Sequence, residues 1–158
     1  MNAGKFLSIE QAIKKLEYYC AYQERCHLDI ENKFRSMKLS ASFKETVMLH
    51  LLENDFLNDE RFAKAFVRGK FRIKKWGKRR IEKELKTRNI SEYNIRSGLK
   101  EISESDYLKS FNELAKKRLS QISETNIYKK RKKLADYLLY RGWESDLVYN
   151  KVLELVKK

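Results

Sequence analysis

Proline is absent from the 158 residues and glycine occurs only five times. Long helices are therefore permitted everywhere, since proline is the main helix breaker. Alternating apolar runs bounded by Asn-Gly or Asp-Gly turns are missing too, which argues against strands. No apolar run approaches the roughly 20 residues that cross a bilayer, so no membrane partner is expected. The opening MNAGKFLSIEQ lacks the apolar core of a signal peptide, and a cytoplasmic location is expected. There Cys20 and Cys26 would be reduced thiols. Neither Cys-x-x-Cys nor a second close pair joins His27 and His50, so the pattern does not point to a metal site. Nor do two histidines in acidic surroundings supply a nucleophile, a base and an orienting group. Glycine-rich phosphate loops are missing. The expectation is a protein that is no enzyme and needs no cofactor.

What is present is charge on helices. The composition, 42% hydrophobic and 37% charged, suits amphipathic helices with thin cores, and an all-α fold is predicted. The net charge of +14 is unevenly placed. Residues 1–60 carry 8 basic and 10 acidic side chains, whereas residues 61–158 carry 28 and 12. Solubility alone does not require one-sided placement. A polyanionic partner, either nucleic acid or an acidic protein surface, accounts for it better.

The stretch from Asn54 to Leu85 concentrates the signal. Asn58 or Asp59 can cap a helix, with Glu60 in the first turn where the dipole favours an acid. Phe62, Phe66, Gly69, Ile73 and Trp76 then recur at steps of four and three, one helical face. Arg61, Lys64, Arg68, Arg72 and Lys75 form a basic stripe on another face. Gly77 ends the helix, and Lys78-Arg79-Arg80-Ile81 starts the next. Elsewhere, Ser8 with Gln11 and Ser42 with Glu45 read as capping boxes. A second helix is expected over about Leu28 to Met37. Ser91 and Ser103 open later helices, another runs from about Asn126 to Arg141 before Gly142, and the last begins near Glu144 or Ser145.

The later helices repeat. Ile81, Leu85, Ile90, Ile95 and Leu99 are spaced four, five, five, four, as are Leu134, Leu138, Trp143, Val148 and Val152. Ile30, Phe34 and Leu39 begin the same series. The chain therefore reads as three tandem units, each a long helix followed by two short ones: 1–54, diverged and acidic; 55–102, basic; and 103–158, basic. Units this small should pack into an elongated, curved array.

The segments Leu57-Asn58-Asp59-Glu60-Arg61-Phe62-Ala63 and Gly77-Lys78-Arg79-Arg80-Ile81, with Leu85, resemble the central motifs of the RecX family, bacterial regulators that bind the RecA recombinase. Tyr19 to Cys26 and Lys75-Trp76-Gly77 are similar to further segments found in some members. The resemblance runs from about Ile9 to Leu155. Asn58 departs from the commoner aspartate, and the first unit lacks the usual Lys/Arg-Gly turn after Met37-Lys38-Leu39. The resemblance implies a non-enzymatic protein, expected to act as a monomer on the RecA filament and its single- or double-stranded DNA. It would restrain ATP hydrolysis, strand exchange and co-protease activity in recombination and DNA repair. A helical nucleic-acid-binding protein acting without RecA is the alternative.

Two basic clusters hold corresponding places in the second and third units: Lys78-Arg79-Arg80, and Lys130 with Arg131-Lys132-Lys133. Each precedes the first apolar position of a middle helix, where cations oppose the dipole by about 0.3–1 kcal/mol each. Free N–H groups and several cations together would suit an anion. The first unit has His27-Leu28-Asp29 there, so binding should concentrate on the other two. Trp143 matches Ile90 and is expected in the core, as are Phe71 and Tyr128; Trp76, at a corner, could either pack or contact a ligand. If the clusters form one face, changing Arg79, Arg80, Lys132 and Lys133 to Gln should weaken DNA or filament binding across a salt series. Circular dichroism should show helicity intact, and Lys5 and Lys38 should be dispensable.

Overall fold

A computed structural model describes residues 7–158, and among them all regular structure is helical. Lys5, one of the positions expected to be dispensable, lies outside the described residues. Three helices form the first triplet: α1, Ile9–Tyr22; α2, His27–Ser36; and α3, Ala41–Glu53. The second comprises α4, Asp59–Arg72; α5, Lys78–Thr87; and α6, Glu92–Leu99. The third comprises α7, Glu104–Gln121; α8, Ile127–Tyr140; and α9, Ser145–Leu155. The chain is an all-α helical repeat.

Short polar side chains start most of these helices by accepting from an otherwise unpaired N–H. Ser8 and Gln11 form the reciprocal box expected of them. Asn58, rather than Asp59, caps α4 by accepting from Arg61 N. Ser91, Ser103 and Asn126 cap α6, α7 and α8. The cap of α3 is Ser40, two residues before the expected Ser42, whose carbonyl instead accepts from Thr46 Oγ1. α2 starts at His27, one residue before the expected Leu28, and its N-cap is Cys26, whose N–H donates to Asp29 Oδ2 at 2.9 Å.

The repeat register has a backbone origin. Asn89 (φ 58°) and Gly142 (φ 93°) adopt left-handed conformations after α5 and α8. Ile90 N then donates to Leu85 O, and Trp143 N to Leu138 O, both at 3.2 Å. Each is the six-to-one closure that satisfies terminal carbonyls and turns the next apolar residue inward. Asp55 (φ 60°) closes α3 the same way, through Phe56 N to Leu51 O. The lengths deviate from one long helix and two short ones in the first triplet, where α3 has 13 residues against 14 in α1.

Two cores result. Ala12, Leu16, Ile30, Val47, Leu51 and Leu57 are among the buried residues of the first. The second runs unbroken through the other two triplets, from Phe62, Val67 and Leu85 to Phe111, Leu138, Trp143 and Val152. The α4 face facing this core is Phe62, Ala63, Val67 and Phe71, not the expected Phe62-Phe66-Gly69-Ile73-Trp76 stripe. The helix ends at Arg72, five residues before Gly77, so Ile73 and Trp76 are not on it; Ile73 is 77% exposed. Tyr128 is also outside the core, at 63% exposure. Leu85 and Leu138 are fully buried. Replacing either by Ala should cost about 2–5 kcal/mol, visible as a lower midpoint in denaturant unfolding, with helicity retained in the absence of denaturant.

Candidate functional site

The second and third triplets meet backbone to backbone. Gly77 N donates to Arg141 O at 2.8 Å, and Arg79 N to Gly142 O at 3.0 Å. A Cβ on Gly77 would collide with the Gly142 backbone, and one on Gly142 with Arg80. The N-terminus of α5 thus abuts the C-terminal end of α8, where exposed N–H groups and unpaired carbonyls compensate each other. Trp143 Nε1 donates to Lys75 O at 3.2 Å, Arg141 donates to Lys74 O, and Arg80 donates to Tyr140 O at 3.4 Å. Tyr107 adds a bridge from α7: its hydroxyl accepts from Lys78 N at 2.8 Å and donates to Glu144 Oε1 at 2.6 Å. Burial first, and the Glu144 carboxylate second, push that phenol well above its usual range. It stays a neutral donor at any physiological pH.

This junction corrects the anion-site expectation at the start of α5. The amides of Gly77, Lys78 and Arg79 are already taken by Arg141, Tyr107 and Gly142. The side chains are partly engaged as well. The Arg80 guanidinium lies over the rings of Trp76 (4.1 Å) and Tyr140 (4.9 Å), and Lys78 Nζ lies over Tyr107 (4.6 Å). Trp76 is half-buried against Phe66, so it packs and carries a cation on its face.

The other cluster stands in a different place. α8 begins at Ile127, so Arg131, Lys132 and Lys133 lie in its second turn and not at its N-terminus. Arg131 Nε donates to Val156 O, Lys132 pairs with Asp136 at 2.8 Å, and Lys133 with Glu124 at 3.6 Å. Lys78-Arg79-Arg80 dock at the opposite end of the same helix, about 15 Å away at 1.5 Å per residue. The two clusters therefore do not converge on one small anion.

The α4 stripe divides similarly. Arg61 pairs with Glu24 (2.6 Å) and Asp55 (3.0 Å), and donates to the carbonyls of Asp55 and Phe56. Together with His27 N donating to Asp59 Oδ1, it ties the first triplet to the second. Lys64 pairs with Glu60 and Arg68 with Glu101. Among the described residues, no carboxylate lies in ion-pair range of Arg72, Lys75, Lys78, Arg79, Arg80 or Lys130. Five of those six belong to the short segment from Arg72 to Arg80.

That segment is half turn and half helix. Lys75 adopts φ 58° without being glycine, a conformation that costs an L-residue about 1–2 kcal/mol. The turn places Lys74 and Lys75 beside Lys117 and Arg118 of α7 and Arg141 after α8, around a groove of about 290 Å³. Only Lys75 among these stands out in the sequence by position. The Lys116-Lys117-Arg118 run on α7 was the available signal for the rest, but a solvated charged face gives the same pattern.

The thiols are buried, and burial raises both, Cys26 to about 11. Among the described residues no group of three His, Cys, Asp or Glu could hold a metal, and no helix is long and apolar enough to cross a membrane.

Residues 58–99 match the family description "RecX, second three-helix domain", and residues 104–152 match "RecX, third three-helix domain". The chain is 27% identical over 134 residues to a protein named Regulatory protein RecX from Clostridioides difficile, covering 80% of this chain and 63% of that one. To its namesake from Bacillus cytotoxicus it is 23% identical over 140 residues, covering 89% and 52%. The chain thus spans between half and two thirds of the length of these relatives. A crystal structure of RecX from Lactobacillus salivarius superposes with a TM-score of 0.78 at 21% identity, over 94% of this chain and 96% of that one. Another, of a regulatory protein RecX, gives 0.81 at 21% identity over 92% and 73%.

Arg61 and Arg79 should separate structure from binding. Arg61→Gln leaves half-buried Glu24 without its strongest partner and should cost about 1–2 kcal/mol, allowing for partial exposure. Arg79→Gln should leave the melting temperature unchanged and weaken DNA binding. Thermal melts alongside fluorescence anisotropy check both.

Proposed function

The chain belongs to the RecX family, and from this premise we propose that it is a regulatory protein that binds the RecA recombinase on DNA and lowers its activity. Restrained ATP hydrolysis, strand exchange and co-protease activity would be the outcome, in recombination and DNA repair. The observation that carries the reading is the charge left over inside the second and third triplets. Arg72, Lys75, Lys78, Arg79, Arg80 and Lys130 have no carboxylate partner among the described residues, on a fold whose own acids neutralise Arg61, Lys64, Arg68, Lys132 and Lys133. A filament of protein and DNA offers a complementary surface in its phosphates. We further propose the repeat boundaries 1–54, 55–102 and 103–158. Each unit would meet a successive part of the filament, with the first contributing least to DNA contact because its 8 basic side chains are nearly cancelled by 7 acidic ones.

The role is read as non-catalytic. The thiols are protonated at neutral pH, and His50 is engaged with Glu17 at 2.9 Å. The action is binding, so it requires no cofactor. A nucleic-acid-binding role without the recombinase is the second reading, favoured by the same unpaired cations.

Titrating the protein into the cognate recombinase on single-stranded DNA tests the first reading. The ATPase rate should fall at well under one protein per recombinase subunit, because a three-unit chain can bridge neighbours in a filament. An unchanged rate at saturation, on filaments shown to be intact, would sink it. Tight binding to bare DNA in that case would favour the second.

A further inference from the structure

We propose that the groove between the 73–77 turn, α7 and the end of α8 is a binding site for the phosphodiester backbone of a single nucleic-acid strand. This rests on the engagement of a DNA filament proposed above, and it names the part of the chain that holds the DNA. Five cations line the groove: Lys74, Lys75, Lys117, Arg118 and Arg141. No carboxylate lines it, and none of the five has an ion-pair partner among the described residues. Elsewhere on the same surface cations find acids readily: Lys64, Arg68, Lys86, Arg88, Lys132 and Lys151 all do. Converging like charges repel, and the repulsion grows as water is displaced from the cleft. An anion converts that repulsion into attraction.

Two details point to phosphate. The Nε of Arg118 is buried and has no hydrogen-bond partner, although buried polar atoms rarely go without one. The guanidiniums of Arg118 and Arg141 both lie over the Tyr137 ring, at 4.6 and 4.9 Å. The ring face partly compensates two cations and fixes two planar forks beside one groove, the arrangement that grips phosphate oxygens in pairs. Gln121 adds a neutral hydrogen-bonding group to the lining.

The apolar lining favours a nucleic acid over an acidic peptide. Ile73, 77% exposed, and Leu114 border the same cleft. A strand alternates anionic phosphates with sugar and base faces that can rest on such side chains, whereas consecutive carboxylates bring only charge and polar backbone. A groove of about 290 Å³ has room for a short piece of one strand. The walls come from both sides of the Gly77–Gly142 junction, so a bound strand also fastens the second triplet to the third.

The test uses the full chain, fluorescein-labelled oligo-dT and no recombinase, with anisotropy followed across a salt series. The triple variant K74Q/K117Q/R118Q removes three groove charges and leaves Arg141, whose guanidinium holds the Lys74 carbonyl. The variant K100Q/K109Q/K129Q removes the same charge from elsewhere on the surface. At about 0.15 M salt the groove variant should lose tenfold or more in affinity. Its salt slope should flatten by about 2, at about 0.7 per phosphate on a single strand. The control variant should lose far less. If the triple variant melts early, K74Q/K117Q, with both side chains exposed, carries the comparison. Equal losses in groove and control variants, an unchanged groove variant, or a parent that does not bind oligo-dT would each overturn the proposal. So would a groove variant that loses binding to polyglutamate and keeps its binding to oligo-dT. With no recombinase present, the oligonucleotide result speaks to the groove alone, and the ATPase titration speaks to the regulatory role alone.

Discussion

The contact between Gly77 and Gly142 is the constraint on which most of this structure depends. Two backbones touch where any side chain would hold them apart. The start of α5 therefore meets the end of α8 directly, and the amides and carbonyls that helix ends leave over are spent on each other. From that contact follow the burial of Trp143, the bridging position of Tyr107 and the single core shared by two triplets. It also sets what the neighbouring cations can do. Arg80 and Arg141 are drawn across to carbonyls of the opposite segment. Lys74 and Lys75 are held at the rim of a groove whose other wall is α7.

Much of the fold was legible because it follows from local chemistry. The spacing of Ile81, Leu85 and Ile90 and of Leu134, Leu138 and Trp143 reflects one helix-closing motif used twice, and a residue that tolerates positive φ marks each. Serine and asparagine caps were readable for the same reason. Failures came where a tertiary contact decided the outcome. The apolar period from Phe62 to Trp76 runs straight through the end of α4, because neither proline nor glycine marks that end. The helix stops at Arg72, the chain turns through Lys75, and the carbonyls of Lys74 and Lys75 are taken up by Arg141 and Trp143, some 68 residues on.

The basic residues were legible as a population but not one by one. Arg61 looked like a surface cation, yet its partners sit at positions 24 and 55, one in another helical hairpin and one in a turn. Lys132 and Lys133 matched Arg79 and Arg80 in the repeat but lie a turn further into a longer helix, next to acids. Counting charges along a chain does not reveal which are cancelled. The groove cations could not be grouped from the sequence either, since Lys75, Arg118 and Arg141 come from three separate elements.

The separation into two cores gives the chain unequal joints. The second and third triplets are fused through continuous apolar packing, which salt barely touches. The first triplet has a core of its own. It is fastened to the second by Arg61 with Glu24 and Asp55, by Asp59 under His27, and by Cys26 seated in the neighbouring core. A latch built largely from charged groups weakens with ionic strength, while a hydrophobic weld does not. Rising salt should therefore loosen the attachment of the first triplet before it affects the joint between the second and third.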